Sequence, residues 1–291
     1  MNRWCCAMSE TVRAVAISGA HGYVGSQLRR AFSADGWRSV SLVRRPPPED
    51  TNAGHYDLSQ APSPALLEGI DTLVHCAWDL SLTRRAEIWR INVDGTAALL
   101  DLAKRMGVRR VIFVSSMSAY EGTTQLYGRA KLECEGMAAG LGQGAVRLGL
   151  VYGPGWGGMI GALRKMTKLP ITPLPAGGSH QYTVHEEDAV TAIVRLASVP
   201  EIPLVPLGIA HPEPVTFSYL VRAIGRTDGR MPHLLPVPWQ VTYAALRAGE
   251  AAGVGLPFRA DSLLGLARPA PTVPNQKRLT DLGLSFRPFS L

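Results

Sequence analysis

No apolar run in this sequence approaches the ~20 residues needed to cross a bilayer, so no membrane partner is expected. Cysteine is scarce as well. The 4 cysteines, Cys5, Cys6, Cys76 and Cys134, show neither C-x-x-C nor Cys/His spacing, which argues against a metal centre. An adjacent Cys5-Cys6 pair is poor disulfide geometry, and free thiols in a cytoplasmic protein are the simplest expectation. A basic tract is missing too. The net charge of +7 is spread over arginines, including the pairs Arg29-Arg30, Arg44-Arg45, Arg84-Arg85 and Arg109-Arg110, without interleaved aromatics, which excludes nucleic acid as the expected partner. Met1 to Ala7 holds a single arginine and too short an apolar stretch for a signal peptide. Residues 1–10 are read as a disordered leader, with Met8 as an alternative start. No internal repeat is visible.

What is present is the composition of a globular enzyme: 291 residues, 46% apolar and 18% charged, enough for one large domain or one and a half. The organising stretch is Ser18 to Leu28. It follows an apolar run, Val12 to Ile17, that reads as a buried strand, and it opens an apolar helical pattern. Gly19, Gly22 and Gly25 would let the chain turn sharply, let backbone amides approach a pyrophosphate, and let the helix pack close to the strand. With 30 glycines in the chain the spacing alone is weak. Its place between a strand and a helix makes it a dinucleotide-binding turn, with Gly19, His21, Gly22, Tyr23, Val24 and Gly25 as cofactor contacts.

The helix is expected from Gly25 to Ala34, and a second strand, Ser39 to Val43, ends at Arg44-Arg45. A carboxylate at this distance from the glycines would bind an adenine-ribose 2′-OH and select NAD, whereas arginine pairs with a 2′-phosphate. No carboxylate occurs between Asp35 and Glu49, so NADP is favoured, with NAD as the alternative if both arginines only solvate the strand end. A third strand, Gly54 to Leu58, would set Asp57 and Leu58 near the adenine. Asp71 to Trp78 reads as a buried strand whose carboxyl end, Cys76, Ala77 and Trp78, lies along the dinucleotide, with Trp78 and Asp79 facing substrate. His75 there reads as a satisfied core histidine. Arg84 to Met106 has helical periodicity, and Arg109 to Ser116 is a strand ending in the hydroxyls Ser115-Ser116 where a nicotinamide would lie.

Tyr127 and Lys131 follow at i, i+4, on one face of a helix. A phenol with pKa near 10 works poorly at neutral pH, and a nearby ammonium favours the phenolate. The same lysine could bond the nicotinamide ribose, and a serine at the strand end could hold the substrate oxygen. After Tyr152 a smaller part is expected: Gly155 to Gly158 as a mobile loop, a helix over Met159 to Lys168, proline-rich connections over Pro170 to Pro175 and Pro203 to Pro214, and a helical stretch, Val237 to Leu266, interrupted at Gly253 and Gly255. Trp156, Tyr182 and His185 are candidates to line the substrate pocket.

Together these residues resemble the short-chain dehydrogenase/reductase superfamily, in its extended, epimerase/dehydratase-like branch. The resemblance spans nearly the whole chain. It rests on Gly19-x-x-Gly22-x-x-Gly25, Asn92-Val93-Asp94-Gly95-Thr96, Ser115-Ser116-x-Ser118-Ala119-Tyr120, Tyr127-x-x-x-Lys131, Tyr152-Gly153-Pro154 and Tyr182 to Ala189. It implies an α/β fold with a Rossmann-type doubly wound parallel sheet (11–155) and a smaller C-terminal substrate-binding lobe (156–291) with segments returning to the sheet. It also implies a catalytic trio of Ser116, Tyr127 and Lys131, with Ser118 the competing hydroxyl and a substrate contact. Asn92, Ser115 and Leu150 join the cofactor contacts, and a homodimer through the helices holding Leu99 and Tyr127 follows from family habit.

Two departures narrow the chemistry. Dehydratases of this branch carry an Asp-Glu pair after the catalytic hydroxyl, where this chain has Met117 and Ser118, and epimerases usually show an acidic residue where Arg44-Arg45 stand. The expectation is an NADP-dependent oxidoreductase acting on a small-molecule carbonyl or alcohol, a nucleotide sugar being favoured by analogy alone. A nucleotide-sugar epimerase holding NAD tightly is the rival within enzymes. A non-catalytic dinucleotide sensor or assembly subunit is the rival from another class, and retention of both Tyr127 and Lys131 speaks against it.

Overall fold

The computed structural model describes residues 12–254 and 258–291; the leader expected over 1–10, with Cys5 and Cys6, and the expected interruption at Gly255 lie outside the described residues. Strand and helix alternate from the start. β1 (Ala14–Ser18) leads into α1 (Tyr23–Ala34), β2 (Arg38–Val43), β3 (Ala53–His55) and β4 (Thr72–His75). α2 (Arg85–Ile88) runs through a wide π turn, Trp89–Val93, into α3 (Asp94–Arg105), then β5 (Arg110–Ser116), α4 (Leu126–Gly140) and β6 (Gly144–Leu148). The remainder holds β7 (Leu150–Tyr152), α5 (Gly158–Met166), β8 (Ile171–Pro175), β9 (His180–Gln181), β10 (Thr183–His185) and α6 (Glu186–Ser198). It closes with β11 (Leu207–Ile209), β12 (Val215–Thr216), α7 (Phe217–Thr227), β13 (His233–Val237), α8 (Trp239–Ala251), α9 (Ala260–Ala267) and α10 (Gln276–Asp281).

Seven strands form one sheet in the order β11-β6-β5-β4-β1-β2-β3, each pair parallel, which is the doubly wound arrangement expected. Strands covered on both faces must be apolar along their length, and β1 and β4 are buried at every residue. Ile17, Val74, Ile112 and Val146 pack with α1 and α6 on one side of the sheet. Leu73 and Phe113 pack with Leu99 and Leu102 of α3 and with Ala130 and Cys134 of α4 on the other. Leu99 is thus fully consumed by its own sheet. A separate cluster around Tyr152, Leu163, Phe217, Leu220 and Phe289 builds the smaller lobe. Strand order reverses between β1 and β4, and the crevice at their carboxyl ends is where such sheets take ligands.

Three local expectations need correction. The helix expected over Arg84 to Met106 is divided by the π turn, a feature often found at functional sites. The turn carries Asn92, whose Oδ1 accepts from the Asp79 amide at 2.7 Å and whose Nδ2 donates to the Asp79 carbonyl at 3.1 Å. The proline-rich connections contain strands: β11 joins the main sheet, and β8 pairs in parallel with β13. Pro173, Pro175 and Pro236 are tolerated because both strands of that ladder are edges, where a proline nitrogen can face away from its partner. The third strand is shorter than expected and ends at His55, so Asp57 and Leu58 follow it rather than belong to it.

Candidate active site

The glycine turn has the geometry its sequence promised. Gly19 adopts φ +69°, and a β-carbon there would stand 2.9 Å from the Ala77 backbone, so the turn after β1 lies directly against the end of β4. A β-carbon on Gly25 would overlap the Gly19 carbonyl oxygen. α1 then begins with Gly22 as an N-cap that offers no side chain, and its first turn contains no carboxylate. Its unpartnered amides and positive dipole end are therefore free for an anion, which is the fit a dinucleotide pyrophosphate needs. Tyr23 and Val24 are half-buried and His21 is exposed at the rim. Tyr23 hydroxyl donates to Glu186 at the head of α6. That carboxylate also accepts from Gln27 Nε2 at 3.1 Å and from the Gly155 amide at 3.3 Å. Gly157 rests on the Tyr23 ring so closely that a β-carbon would overlap it, so this loop is seated on α1.

His75 is fully buried between Ser18 Oγ, 2.5 Å from Nδ1, and Thr96 Oγ1, 2.9 Å from Nε2. Burial, and secondarily the Lys131 charge, push its pKa down to about 3, so it is a neutral structural link between β1, β4 and α3. Cys76 is a half-buried free thiol pushed up to about 12 by burial. Arg44 and Arg45 are both exposed just beyond β2, and the Arg44 carbonyl meets His55 Nδ1 at 2.9 Å. Asp57 is held below the usual carboxylate range, first by the Ser59 hydroxyl and amide and then by Arg44 and His55. Gly95, where a β-carbon would overlap the Leu58 carbonyl, brings Leu58 against the start of α3.

α4 carries the reactive pair. Gly128 lies against the Ser118 carbonyl, again with no room for a β-carbon, so the start of α4 meets the serine turn after β5. Tyr127 packs edge-on against Trp78, ring centroids 5.7 Å apart. Burial pushes its phenol up to about 12, while the Ser116 hydroxyl and the charge of Arg259 pull the other way. Lys131 is 3% exposed and donates from Nζ to the Val114 carbonyl at 2.8 Å, with the ammonium 3.9 Å from the Trp78 ring centroid. Burial lowers its pKa to about 8. Its Nζ is 5.9 Å from the Tyr127 ring centroid, and the charge of Arg259 also pulls the phenol's pKa down.

Several expected contacts are committed elsewhere. Ser115 is buried and donates to Glu135 at 2.5 Å, and Glu135 in turn pairs with Arg147 at 2.7 Å. Asn92 is spent on the Asp79 backbone. Trp156 lies under Arg164, whose guanidinium carbon is 4.2 Å from its ring, and His185 caps α6 by accepting from the Glu187 amide at 3.3 Å. Neither Trp156 nor His185 lines the cavity that opens beside Tyr127. This cavity, ≈ 410 Å³, is walled by Met117, Ser118, Leu148, Leu150 and Tyr182 together with α5 and the Phe258 to Ala270 segment. Arg259 and Asp261 of that segment were invisible to sequence reasoning, because no motif marks them and they lie more than 130 residues after Tyr127.

A family model described as NAD dependent epimerase/dehydratase family matches residues 15–203. A Caulobacter vibrioides protein named ceramide reductase is 30% identical over 244 residues, 80% of this chain and 76% of its own. An uncharacterised Mycobacterium tuberculosis protein is 27% identical over 216 residues, 73% of this chain but 23% of its own. Among solved structures, MoeE5 in complex with UDP-glucuronic acid and NAD superposes with a TM-score of 0.72 at 23% identity, covering 95% of this chain and 94% of that one, a likeness of fold.

Proposed function

Because the chain belongs to the NAD dependent epimerase/dehydratase family, we propose that it is an NADP-dependent oxidoreductase that reduces a substrate carbonyl at Tyr127. The glycine turn and the open amino end of α1 would hold the dinucleotide, with Arg44 and Arg45 on its 2′-phosphate. When bound, that cofactor supplies the hydride.

The chain's own groups manage the proton and the oxygen. Tyr127, its pKa pushed up to about 12, is protonated at neutral pH and therefore acts as the acid that protonates the carbonyl oxygen. On this reading the Ser116 hydroxyl and the Arg259 charge, both of which pull the phenol's pKa down, reduce the cost of giving up that proton. Ser116 also orients the substrate oxygen. Lys131, buried at the Val114 carbonyl and the Trp78 ring, holds a positive charge beneath the site, and on this reading it would also bond a cofactor ribose.

The observation that carries this reading is the Tyr127 phenol on the wall of the cavity, with the Arg259 guanidinium and the Ser118 hydroxyl lining the same space. Support comes from the relative named ceramide reductase, since reduction is the simple half of the family's chemistry. Tyr127→Phe should lower turnover by roughly 10² to 10⁴ while leaving dinucleotide binding unchanged. Retention of full turnover would remove the reading. An epimerase would instead retain its dinucleotide through purification and dialysis, which a release assay measures.

A further inference from the structure

We infer that the substrate of this site is an elongated apolar ketone or aldehyde, and that phosphorylated sugars are excluded from it. The inference rests on the oxidoreductase reading above and names the substrate class for the same cavity.

The wall of the cavity is the reason. Leu80, Met117, Leu148, Leu150, Met159 and Leu266 supply it from both lobes, and among the described residues lining it Arg259 is the one charged side chain. Arg259 is itself occupied: its Nη1 donates to the Leu82 carbonyl at 3.1 Å, and its other terminal nitrogen lies 3.5 Å from Ser262 Oγ. A diphosphate needs several cations or amides converging on it, because a buried anion without partners is costly. Here one guanidinium serves both the phenol and the backbone.

Sugar hydroxyls would fare no better. Gln181 donates from Nε2 to the Leu266 carbonyl at 2.8 Å and to Ser179 Oγ at 3.0 Å, and Tyr182 donates its hydroxyl to the Pro271 carbonyl at 3.0 Å. The amide of Gln125 donates to the Asp261 carbonyl at 2.9 Å. The Nε2 donors of Gln125 and Gln181 and the Tyr182 hydroxyl are therefore turned back onto the protein itself. What remains facing the space is mostly hydrocarbon, broken by Tyr127 and Ser118 at one wall, by Ser262, and by Gln125, whose Oε1 has no hydrogen-bond partner among the described residues, and this suits a carbonyl on a long apolar body. In the reaction a ketone carbon gains hydride, its oxygen gains the Tyr127 proton, and a reduced nicotinamide dinucleotide is oxidised.

The test reads binding separately from turnover. The full chain is titrated with the apolar fluorophore N-phenyl-1-naphthylamine, and the probe is displaced with a twelve-carbon methyl ketone, a five-carbon methyl ketone or UDP-glucose. Each buried methylene adds roughly fourfold, so burial of even three of the longer ketone's extra methylenes should let it displace the probe at a concentration lower by about 60-fold, and UDP-glucose should not displace it. Ala162→Glu and Met159→Glu, at two positions of the wall, should each weaken the long ketone about tenfold with an unchanged thermal melt. Displacement by UDP-glucose at or below the long ketone's concentration, indifference to chain length, or wild-type ketone binding by both variants overturns the inference. Ketone binding with no oxidation of NADPH leaves the assigned substrate class standing and removes the oxidoreductase reading instead.

Discussion

Asp261 sets both carboxylate oxygens on the opening amides of the helix that carries Tyr127, accepting from Leu126 N–H at 2.7 Å and from Tyr127 N–H at 3.0 Å. Those amides would otherwise lack partners, because Gln125 at the N-cap offers α4 no side-chain bond. The smaller lobe thereby fixes where the phenol stands. Asp261→Ala should cost about 1 to 2 kcal/mol of stability and lower turnover, whereas Asp261→Asn, keeping one acceptor, should lose less. Urea denaturation alongside kinetics checks this, and an alanine variant equal to wild type in both would refute the capping role.

Arg259 acts on the phenol by charge. In the alcohol-oxidising direction Tyr127 must be deprotonated first, so activity should climb with pH toward the phenol's pKa. Arg259→Met removes the charge that lowers that pKa, and the climb should move to higher pH. Arg259→Lys, retaining a cation, should move it less. Superimposable pH profiles for the methionine variant and wild type would show that the guanidinium does not tune the phenol.

Lys131 makes the fold less stable than it could be. Its pKa is about 8 in the folded chain against an ordinary value of 10.5, burial being the main cause. Between those values the unfolded chain holds a proton that the folded chain has released, so this residue's contribution to stability rises with pH across that window. Below it the penalty is complete, on the order of 3 kcal/mol at most. Lys131→Met should therefore be the more stable protein at pH 7, with the difference closing toward pH 10.5, and it should lose turnover. Denaturation midpoints at the two pH values decide it. A variant less stable than wild type at pH 7 contradicts the sign.

Arg44 and Arg45 stand exposed beyond β2. Replacing both by Ser should weaken NADP binding by about 10- to 100-fold, the worth of charge-assisted bonds, with NAD binding nearly unchanged. Equal losses for the two dinucleotides in calorimetric titration would place selectivity elsewhere.

Features set by neighbours in the chain were legible in advance. The glycine turn, the parallel strands and the Tyr127/Lys131 spacing follow from periods of 2 and 3.6 residues and from the room a missing β-carbon leaves. Interactions across lobes were not. Nothing near Arg259 or Asp261 announces that they reach Tyr127, and the i, i+4 rule correctly put Lys131 on the face of Tyr127 without saying that its ammonium would turn to Trp78 and the Val114 carbonyl. Trp156 and His185 were misplaced for a related reason. Aromatic rings near a loop can face either way, and here an arginine and a helix cap claimed them. Ser115 looked polar without cause until Glu135, from α4, arrived beside it.

The proline-studded ladder of β8 and β13 bears on how copies of this protein behave in a crowded solution. Ile171 and Leu235 lie on its surface, 58% and 53% exposed, the sort of sticky border along which sheets fuse. Pro173, Pro175 and Pro236 leave that border without the hydrogens a third strand would have to grasp. Two strands is therefore where the ribbon stops, and exchange of those prolines for valine should invite fibrous self-association that the native chain resists.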